Sequence, residues 1–338
     1  MLALPAIDAH HHYIPGEILD GLERFLPEGM VVDRNGPQVR VLKDLGGGRG
    51  APMLRVSGEV YSSGERHLRD MDAAGVRTAI LSAAVFQEWM SLPAARIYNR
   101  ELAELQQRHG DRFVGLAHIP PFGEDGALEE LERAIREYGL KGVCITTSFR
   151  GKYPDEPEYG PFYRKCDELG IPIFVHAAGC PVCAPILHRY ELETPIGRPL
   201  DHALVTTRVL YGGVLEEFRN IRFLMGHLGG AFYILQRRLF PEPGNARQLP
   251  AVPKRDYADQ LRRIWYDTAP SFFQSPPLIR CAIEVLGLDR IVFGTDYPAG
   301  SKAEIVMPEG IAHLEALGVS AADLQRLAVD NAKELFRL

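Results

Sequence analysis

Short apolar segments alternate with helical segments along most of this 338-residue chain, and this alternation restricts the fold more than any other feature. Near-continuous apolar strands that are buried on both faces are typical of a parallel sheet. Eight such segments in one chain favour a closed barrel over an open sheet. The predicted strands are residues 7–13, 77–81, 112–117, 141–146, 171–176, 221–227, 264–267 and 290–296.

We therefore predict an α/β fold, a distorted (β/α)8 (TIM) barrel formed by residues 1–338 as a single domain. An irregular insert, from about residue 13 to residue 64, follows the first strand and contains a hairpin that turns at Asn35-Gly36. The tail, residues 320–338, is predicted as an amphipathic helix that Ser320 caps, with Asp323 in the capping-box position. The other predicted helices are residues 65–74, 93–109, 127–138, 162–169, 200–218, 230–240 and 277–286.

Three consecutive histidines lie at the end of the first predicted strand, in Ile7-Asp8-Ala9-His10-His11-His12-Tyr13. Because side chains alternate between the faces of a strand, we expect Asp8, His10 and His12 on one side and His11 on the other. Two imidazoles on one face can bind a single divalent ion, with Asp8 as support, while His11 would serve the surrounding structure. A surface histidine cluster is the alternative. A purification tag is disfavoured, because there are fewer than six contiguous histidines and an apolar strand precedes them.

Other polar residues end other predicted strands: His176 ends the fifth, His227 the sixth and Asp296 the eighth. Each of them alone is readily explained as a buried barrel histidine or a capping aspartate. Active sites of this fold form at the carboxyl ends of the strands, so all of these residues should meet the first-strand histidines at one rim. Imidazoles with a carboxylate suit zinc, and also manganese, iron or cobalt. The pattern therefore predicts a metal site.

The motifs around these residues resemble the amidohydrolase superfamily, and more narrowly its branch of aminocarboxymuconate-semialdehyde decarboxylase and γ-resorcylate decarboxylase. The resemblance covers nearly the whole chain, as far as Asn331–Phe336. The motifs are Asp8-Ala9-His10-His11-His12, Phe174-Val175-His176, Gly226-His227-Leu228-Gly229-Gly230 and Gly294-Thr295-Asp296-Tyr297-Pro298.

This resemblance implies that one divalent ion is bound and that His227 is an unligated acid/base histidine. Dinuclear relatives end strand four with a carboxylated lysine, but here that strand ends in Thr146-Thr147-Ser148, which favours a single ion. Zinc is the expected ion, with manganese, iron or cobalt as alternatives. The implied metal ligands are His10, His12, His176 and Asp296.

Two arginines are implied substrate-binding residues. Arg55 resembles an arginine that binds the substrate carboxylate, and Arg238 has the spacing of one that a partner subunit contributes, so a homodimer is expected. A guanidinium matches a carboxylate bidentately, although a surface salt bridge explains each arginine equally well. The glycine run after His227 and the loop after His176 both depart from the semialdehyde enzyme, which weakens the match to that enzyme in particular.

The resemblance implies a metal-dependent non-oxidative decarboxylase, a carboxy-lyase, acting on an aromatic or unsaturated carboxylic acid. His227 or Asp296 would relay the proton that replaces the departing carbon dioxide. The alternative is a metal-dependent hydrolase of a lactone, ester or amide in the same superfamily. A barrel retained as a binding or scaffold protein is the third hypothesis.

Composition excludes several other classes of function. The net charge is −6 with no basic run, so neither nucleic acid nor an anionic membrane is an expected partner. No apolar segment is long enough for a membrane span and no charged leader precedes an apolar core, so the cytoplasm is the expected location. Of the five cysteines, Cys180 and Cys183 are either structural or form a thiol at the mouth of the site.

Overall fold

Twelve strands occur in the part of the chain that the computed structural model describes, which is residues 5–36, 38–44, 50–178, 184–187, 190, 192–240, 255–270, 274–299 and 303–338. Cys180 and Cys183 lie outside this part. In chain order the strands are β1 (Ala6–His12), β2 (Met30–Asp33), β3 (Val39–Asp44), β4 (Gly50–Val56), β5 (Val76–Ser82), β6 (Phe113–Gly115), β7 (Ala117–His118), β8 (Val143–Thr146), β9 (Pro172–His176), β10 (Arg222–Met225), β11 (Ile264–Asp267) and β12 (Ile291–Val292).

Nine of these strands form a parallel series in chain order. The hydrogen-bonded neighbours run β1-β5-β6 in one sheet and β7-β8-β9-β10-β11-β12 in another. Only Leu116 separates β6 from β7, and the backbone changes partner there: Leu116 N donates to Leu81 O at 3.1 Å and Ala117 N to Gly142 O at 2.8 Å. Because β6 and β7 occupy one strand position, the series has eight positions, and each contains one of the predicted strands.

The last segment of the series lies beside β1. Ala9 N donates to Phe293 O at 2.8 Å, Asp296 N to His10 O at 2.8 Å and His12 N to Tyr297 O at 2.7 Å. This pairing continues beyond β12, which is shorter than the predicted eighth strand. It places Asp296 directly beside the histidines of β1.

The helices observed in the described residues agree with most of those predicted, although two are divided. Gly213, with φ of 77°, separates α8 from α9. The tail is capped as predicted, since Ser320 Oγ accepts from Asp323 N at 3.1 Å, but a π turn over Arg326–Asp330 interrupts it. The helices are α1 (Gly16–Asp20), α2 (Gly58–Ser62), α3 (Gly64–Ala74), α4 (Leu92–His109), α5 (Ala127–Arg136), α6 (Gly160–Leu169), α7 (Ala184–Leu187), α8 (Arg198–Gly212), α9 (Val214–Glu217), α10 (Phe232–Leu239), α11 (Tyr257–Leu261), α12 (Pro276–Leu286), α13 (Ala303–Glu315), α14 (Ala321–Gln325) and α15 (Asn331–Phe336).

None of the helices in the described residues is both long enough and apolar enough to cross a bilayer.

The segment between β1 and α3 carries a small antiparallel sheet, β2-β3-β4, followed by α2. Its strands pair in the register Val32↔Val41 and Val41↔Leu54. Val41, Leu54 and Val56 are buried in the same apolar core as the barrel strands, whereas Arg55 is exposed. One face of this sheet therefore packs on the main core, and the other faces solvent.

Asp8 does not lie with His10 and His12, so the predicted alternation is wrong at this position. Its Oδ2 accepts from His11 Nδ1 at 3.0 Å and from Thr295 Oγ1 at 2.6 Å, and its Oδ1 accepts from Thr295 N at 3.0 Å. The pairing of β1 with β5 shifts register between Asp8 and His11, which breaks the two-residue period. Asp8 instead joins the two ends of the strand series.

Replacing Asp8 by alanine is expected to lower the free energy of unfolding by about 3 kcal/mol, because several buried donors lose their acceptor. Asp289, an exposed acid bonded to Arg326 at 2.7 Å, provides the control, since its replacement by alanine should cost less than about 1 kcal/mol. Denaturant titration of both variants measures the difference. Equal destabilisation of the two would contradict the role given to Asp8.

Candidate metal centre

Four side chains from three strand ends converge on one point. His10 and His12 lie on β1, His176 ends β9, and Asp296 follows β12. One ligand atom from each of them lies within 4.8 Å of all the others. The Nε2 atoms of His10 and His12 are 3.1 Å apart, and Asp296 Oδ1 lies 2.8 Å from His12 Nε2 and 3.3 Å from His10 Nε2.

The opposite nitrogen of each of the three imidazoles already has a hydrogen-bond partner. His10 Nδ1 donates to Asp267 Oδ2 at 2.8 Å, His12 Nδ1 to Ser82 Oγ at 2.9 Å and His176 Nδ1 to Ala177 O at 2.9 Å. With a proton held at Nδ1, each ring can present the lone pair of Nε2, as metal-bound histidines usually do. Three such nitrogens and one carboxylate oxygen fit a divalent cation.

The charges of the cluster support the same conclusion. Burial lowers the pKa of His10, but the Asp267 and Asp296 carboxylates outweigh burial and raise it to about 10. Burial alone would raise the pKa of Asp296, yet hydrogen bonds from His10 and His12 hold it well below its usual value. Burial, together with the neighbouring histidines, lowers the pKa values of His12 and His176. A cation that binds here would therefore take the place of the proton that the neighbouring carboxylates favour on His10.

His227 lies beside these four side chains, in a strained backbone conformation. Its φ is 56°, in the left-handed region, and its N–H donates to Asp267 Oδ1 at 2.9 Å. The ring Nδ1 lies 3.3 Å from Ala269 O, and the ring centroid is 4.9 Å from that of His10. Burial, followed by the charge of His10, lowers the pKa of His227 to about 4. A neutral imidazole next to a metal site is suited to accept a proton.

A second donor group within the described residues, His10, His227 and Asp267, shares His10 with the first. Since His10 Nδ1 already donates to Asp267, this group is better explained as the support of the first than as another metal site. The fourth predicted strand corresponds to β8, and the residues at its end, Thr146 to Ser148, are buried and include no lysine. The geometry thus brings together donors for one ion.

Asp267 is a residue of the site that the sequence analysis missed. It ends β11 and binds three groups, His10 Nδ1, His227 N and Ala269 N, the last at 3.0 Å. The signal was present, because an aspartate ended the seventh predicted strand just as the other site residues ended theirs. The contacts of Asp267 show that it orients His10 and His227, a role that its position at a strand end does not reveal.

Replacing Asp267 by asparagine is expected to weaken metal binding by about 10- to 100-fold. If the asparagine oxygen keeps the two backbone donors, its NH2 group faces His10 Nδ1 and favours the tautomer with the proton on Nε2, the nitrogen needed by the metal. Competition with a chelator measures the affinity, and Asp289→Asn, the same change at an exposed acid, is the control. Unchanged affinity in Asp267→Asn would contradict this role.

The two predicted substrate arginines lie outside the metal cluster. Arg55 is exposed on β4, and Arg238 is exposed on α10. In the described ranges neither forms a hydrogen bond or ion pair with His10, His12, His176 or Asp296. Their roles in substrate binding stay predictions.

The fold and site define a class of protein, in which a cluster of histidines and an aspartate lies at the carboxyl ends of parallel strands. A family model described as amidohydrolase matches residues 7–338, and the chain belongs to the amidohydrolase family. The family predicted from the motifs is therefore confirmed. Curated relatives of this chain include decarboxylases from both of the groups named in the sequence analysis.

Among these relatives, γ-resorcylate decarboxylase of Rhizobium sp. (strain MTP-10005) is 28% identical over 294 residues, which cover 81% of this chain and 87% of the relative. The 2-amino-3-carboxymuconate-6-semialdehyde decarboxylase of Dictyostelium discoideum is 28% identical over 214 residues, covering 62% of this chain and 57% of the relative. A solved dihydroxybenzoic acid decarboxylase from Polaromonas sp. JS666, with bound manganese and the inhibitor 2-nitroresorcinol, superposes with a TM-score of 0.76. It is 24% identical, and the match covers 98% of this chain and 97% of that one.

Proposed function

We propose that this protein is a metal-dependent non-oxidative decarboxylase, a carboxy-lyase, of an aromatic or unsaturated carboxylic acid. The observation that carries the proposal is the convergence of three imidazole Nε2 atoms and Asp296 Oδ1, with His227 beside them. The relatives support the same chemistry, because they include decarboxylases of γ-resorcylate and of an aminocarboxymuconate semialdehyde.

His10, His12, His176 and Asp296 would hold the ion, which supplies Lewis-acid stabilisation of negative charge on the substrate. Neutral His227 accepts the proton of a substrate hydroxyl, and the resulting phenolate raises the electron density on the ring carbon that bears the carboxylate. His227 then returns the proton to this ring carbon, which becomes tetrahedral. The bond to the carboxylate carbon breaks, carbon dioxide leaves, and the electron pair of that bond restores the aromatic ring. The phenolate product takes up a proton from water.

Zinc is our proposal for the resident ion, with manganese, iron and cobalt as alternatives. Three nitrogen donors and one oxygen donor without sulfur suit zinc, and the Polaromonas sp. enzyme was solved with manganese. Metal analysis of protein expressed without added ions, followed by reconstitution with each ion in turn, decides between them. Higher turnover with manganese than with zinc would contradict the proposed ion.

The architecture proposed for this enzyme is a closed, distorted (β/α)8 barrel of one domain, assembled as a cytoplasmic homodimer. The eight parallel strand positions and the hydrogen bonds from residues 293–297 to β1 support closure. Light scattering tests the dimer. If Arg238 acts across the interface, mixed dimers of Arg238→Ala and His227→Asn should regain activity that neither parent variant has.

The proposed reaction is tested by carbon dioxide release. Metal-replete protein is incubated with hydroxybenzoates and muconate-type acids, and gas and decarboxylated product are expected in equal amounts. The hydrolase alternative predicts base consumption on lactones, esters or amides without gas. Stoichiometric metal with no turnover on either panel would favour a binding protein.

A further inference from the structure

The first turn of α8 is fixed against the loop that follows His227. Pro199 O accepts from Ala231 N at 3.0 Å, and a Cβ atom at Gly230 would lie 2.1 Å from that oxygen. Gly230 has φ of 61°, so glycine is required there for both reasons. Arg198, the first residue of α8, is thereby held beside the active-site loop.

Arg198 begins the helix α8, in the connection between β9 and β10. Its charge interacts with Asp296, Glu88 and Tyr61, and it also acts on His227 and His202. These partners come from segments that follow different strands, so Arg198 lies among the carboxyl-terminal connections rather than on the outer surface. The sequence analysis missed this residue, because nothing in the sequence around α8 distinguishes it from a helix-surface arginine.

Among the residues that the structure describes, none provides Arg198 with a counter-ion at bonding distance. Its side chain is partly buried, and within the described chain it forms neither a hydrogen bond nor an ion pair. Removing a charge from water is costly, and buried charges in folded proteins are normally paired. A cation of this kind beside a metal centre can gain its partner from an anionic ligand.

His202, one helical turn after Arg198, gives a second and independent indication. It is fully buried, and neither ring nitrogen has a hydrogen-bond partner in the described part of the chain. Its ring meets the His227 ring edge-on at a centroid distance of 5.2 Å. Residues four apart lie on one face of a helix, so Arg198 and His202 form a common polar surface next to His227. Unpartnered buried nitrogens at such a place are satisfied when a polar ligand binds.

We propose that Arg198, with His202 beside it, binds the carboxylate of an aromatic acid substrate from within the same chain. The identity of the ligand as an aromatic acid depends on the proposed decarboxylase function. The guanidinium fork offers two parallel N–H groups to the two carboxylate oxygens, and the imidazole N–H of His202 offers one more. This places an anion-binding cation inside the protomer, in contrast to the exposed Arg55 and Arg238.

The test is binding to metal-replete protein of two matched probes, 2,6-dihydroxybenzoate and resorcinol, which differ only in the carboxylate, measured by rapid mixing before the first turnover is complete. Arg198→Met should weaken binding of 2,6-dihydroxybenzoate by about 10- to 100-fold, and it should leave resorcinol binding nearly unchanged. Arg198→Lys keeps the positive charge without the guanidinium fork, so its affinity for 2,6-dihydroxybenzoate should lie between those of wild type and Arg198→Met. His202→Leu should weaken benzoate binding by about 2- to 10-fold, as loss of one neutral hydrogen bond does.

Arg219→Met is the matched control, because it removes one exposed positive charge far from the site, where Arg219 makes only a 3.9 Å ion pair with Asp259. Metal content and thermal unfolding of each variant establish that the site is intact. The inference is overturned if Arg198→Met loses affinity equally for both probes, or if this variant binds 2,6-dihydroxybenzoate as tightly as wild type. Because binding is measured before turnover, an Arg198-dependent preference for 2,6-dihydroxybenzoate over resorcinol, with no carbon dioxide released on longer incubation, would refute only the decarboxylase proposal.

Discussion

His227→Asn is expected to leave the metal bound and to lower kcat by about 10²- to 10⁴-fold, the usual contribution of a general acid or base. The reason is the position of His227, whose Nδ1 lies 3.3 Å from Ala269 O and which stands beside the ligands rather than among them. Asparagine is the replacement of choice because φ at this position is 56°, and asparagine tolerates the left-handed region better than most residues. The variant thus removes the imidazole while sparing the turn.

Two measurements on the same preparation separate chemistry from metal binding. Metal content per chain should equal that of wild type, and single-turnover rates with a saturating substrate should show the loss in kcat. Loss of metal together with activity would mean that His227 is a ligand, and the second donor group, His10, His227 and Asp267, would then need reconsideration.

His176→Ala is expected to remove the metal. His176 supplies one of three nitrogen donors from a different strand than His10 and His12, and burial together with the neighbouring histidines keeps its pKa well below the usual value, so it is neutral and ready to bind. Loss of a direct ligand should cost more than the 10- to 100-fold typical of residues that only orient ligands. Metal analysis after dialysis, and recovery of activity as a function of added ion, measure the effect.

The control for this change is His109→Ala, at the end of α4, where the histidine lies 3.8 Å from Glu65 and packs edge-on against the Phe113 ring. It should retain the wild-type metal content. A His176→Ala protein that kept its metal through dialysis would show that His176 is not a ligand, and the ligand set inferred from the motifs would have to change.

The strand positions and most helices could be predicted because their signals are local. The seventh predicted strand agrees residue for residue with β11, and the N-cap at Ser320 was identified from the residues that follow it. By contrast, α13 was missed, since Pro308 and Gly310 argue against a helix. Its buried residues, and the fit of Gly310 against the Phe293 ring, stabilise it through tertiary packing that no local pattern reveals.

The site divides in the same way. The sequence predicted that His10, His12, His176 and Asp296 would lie together, because neighbouring parallel strands end at the same edge, and the structure brings these residues together. Their role as metal ligands stays a prediction. Asp267 and Asp8 were not understood, since their roles depend on which atom each carboxylate meets. That choice followed from a register shift in β1 and from the turn after β11.

The amino-acid sequence by itself determined the strand order, the family and the residues that meet in the candidate metal centre, because periodicity and residue type are properties of short segments. Only the tertiary structure decided which ring nitrogen of each histidine faces the centre, which carboxylate orients His10, and that the charge of Arg198 acts on Asp296 while no described residue bonds to Arg198. Those features depend on distances between residues far apart in the chain, and such distances are set by packing of the whole fold.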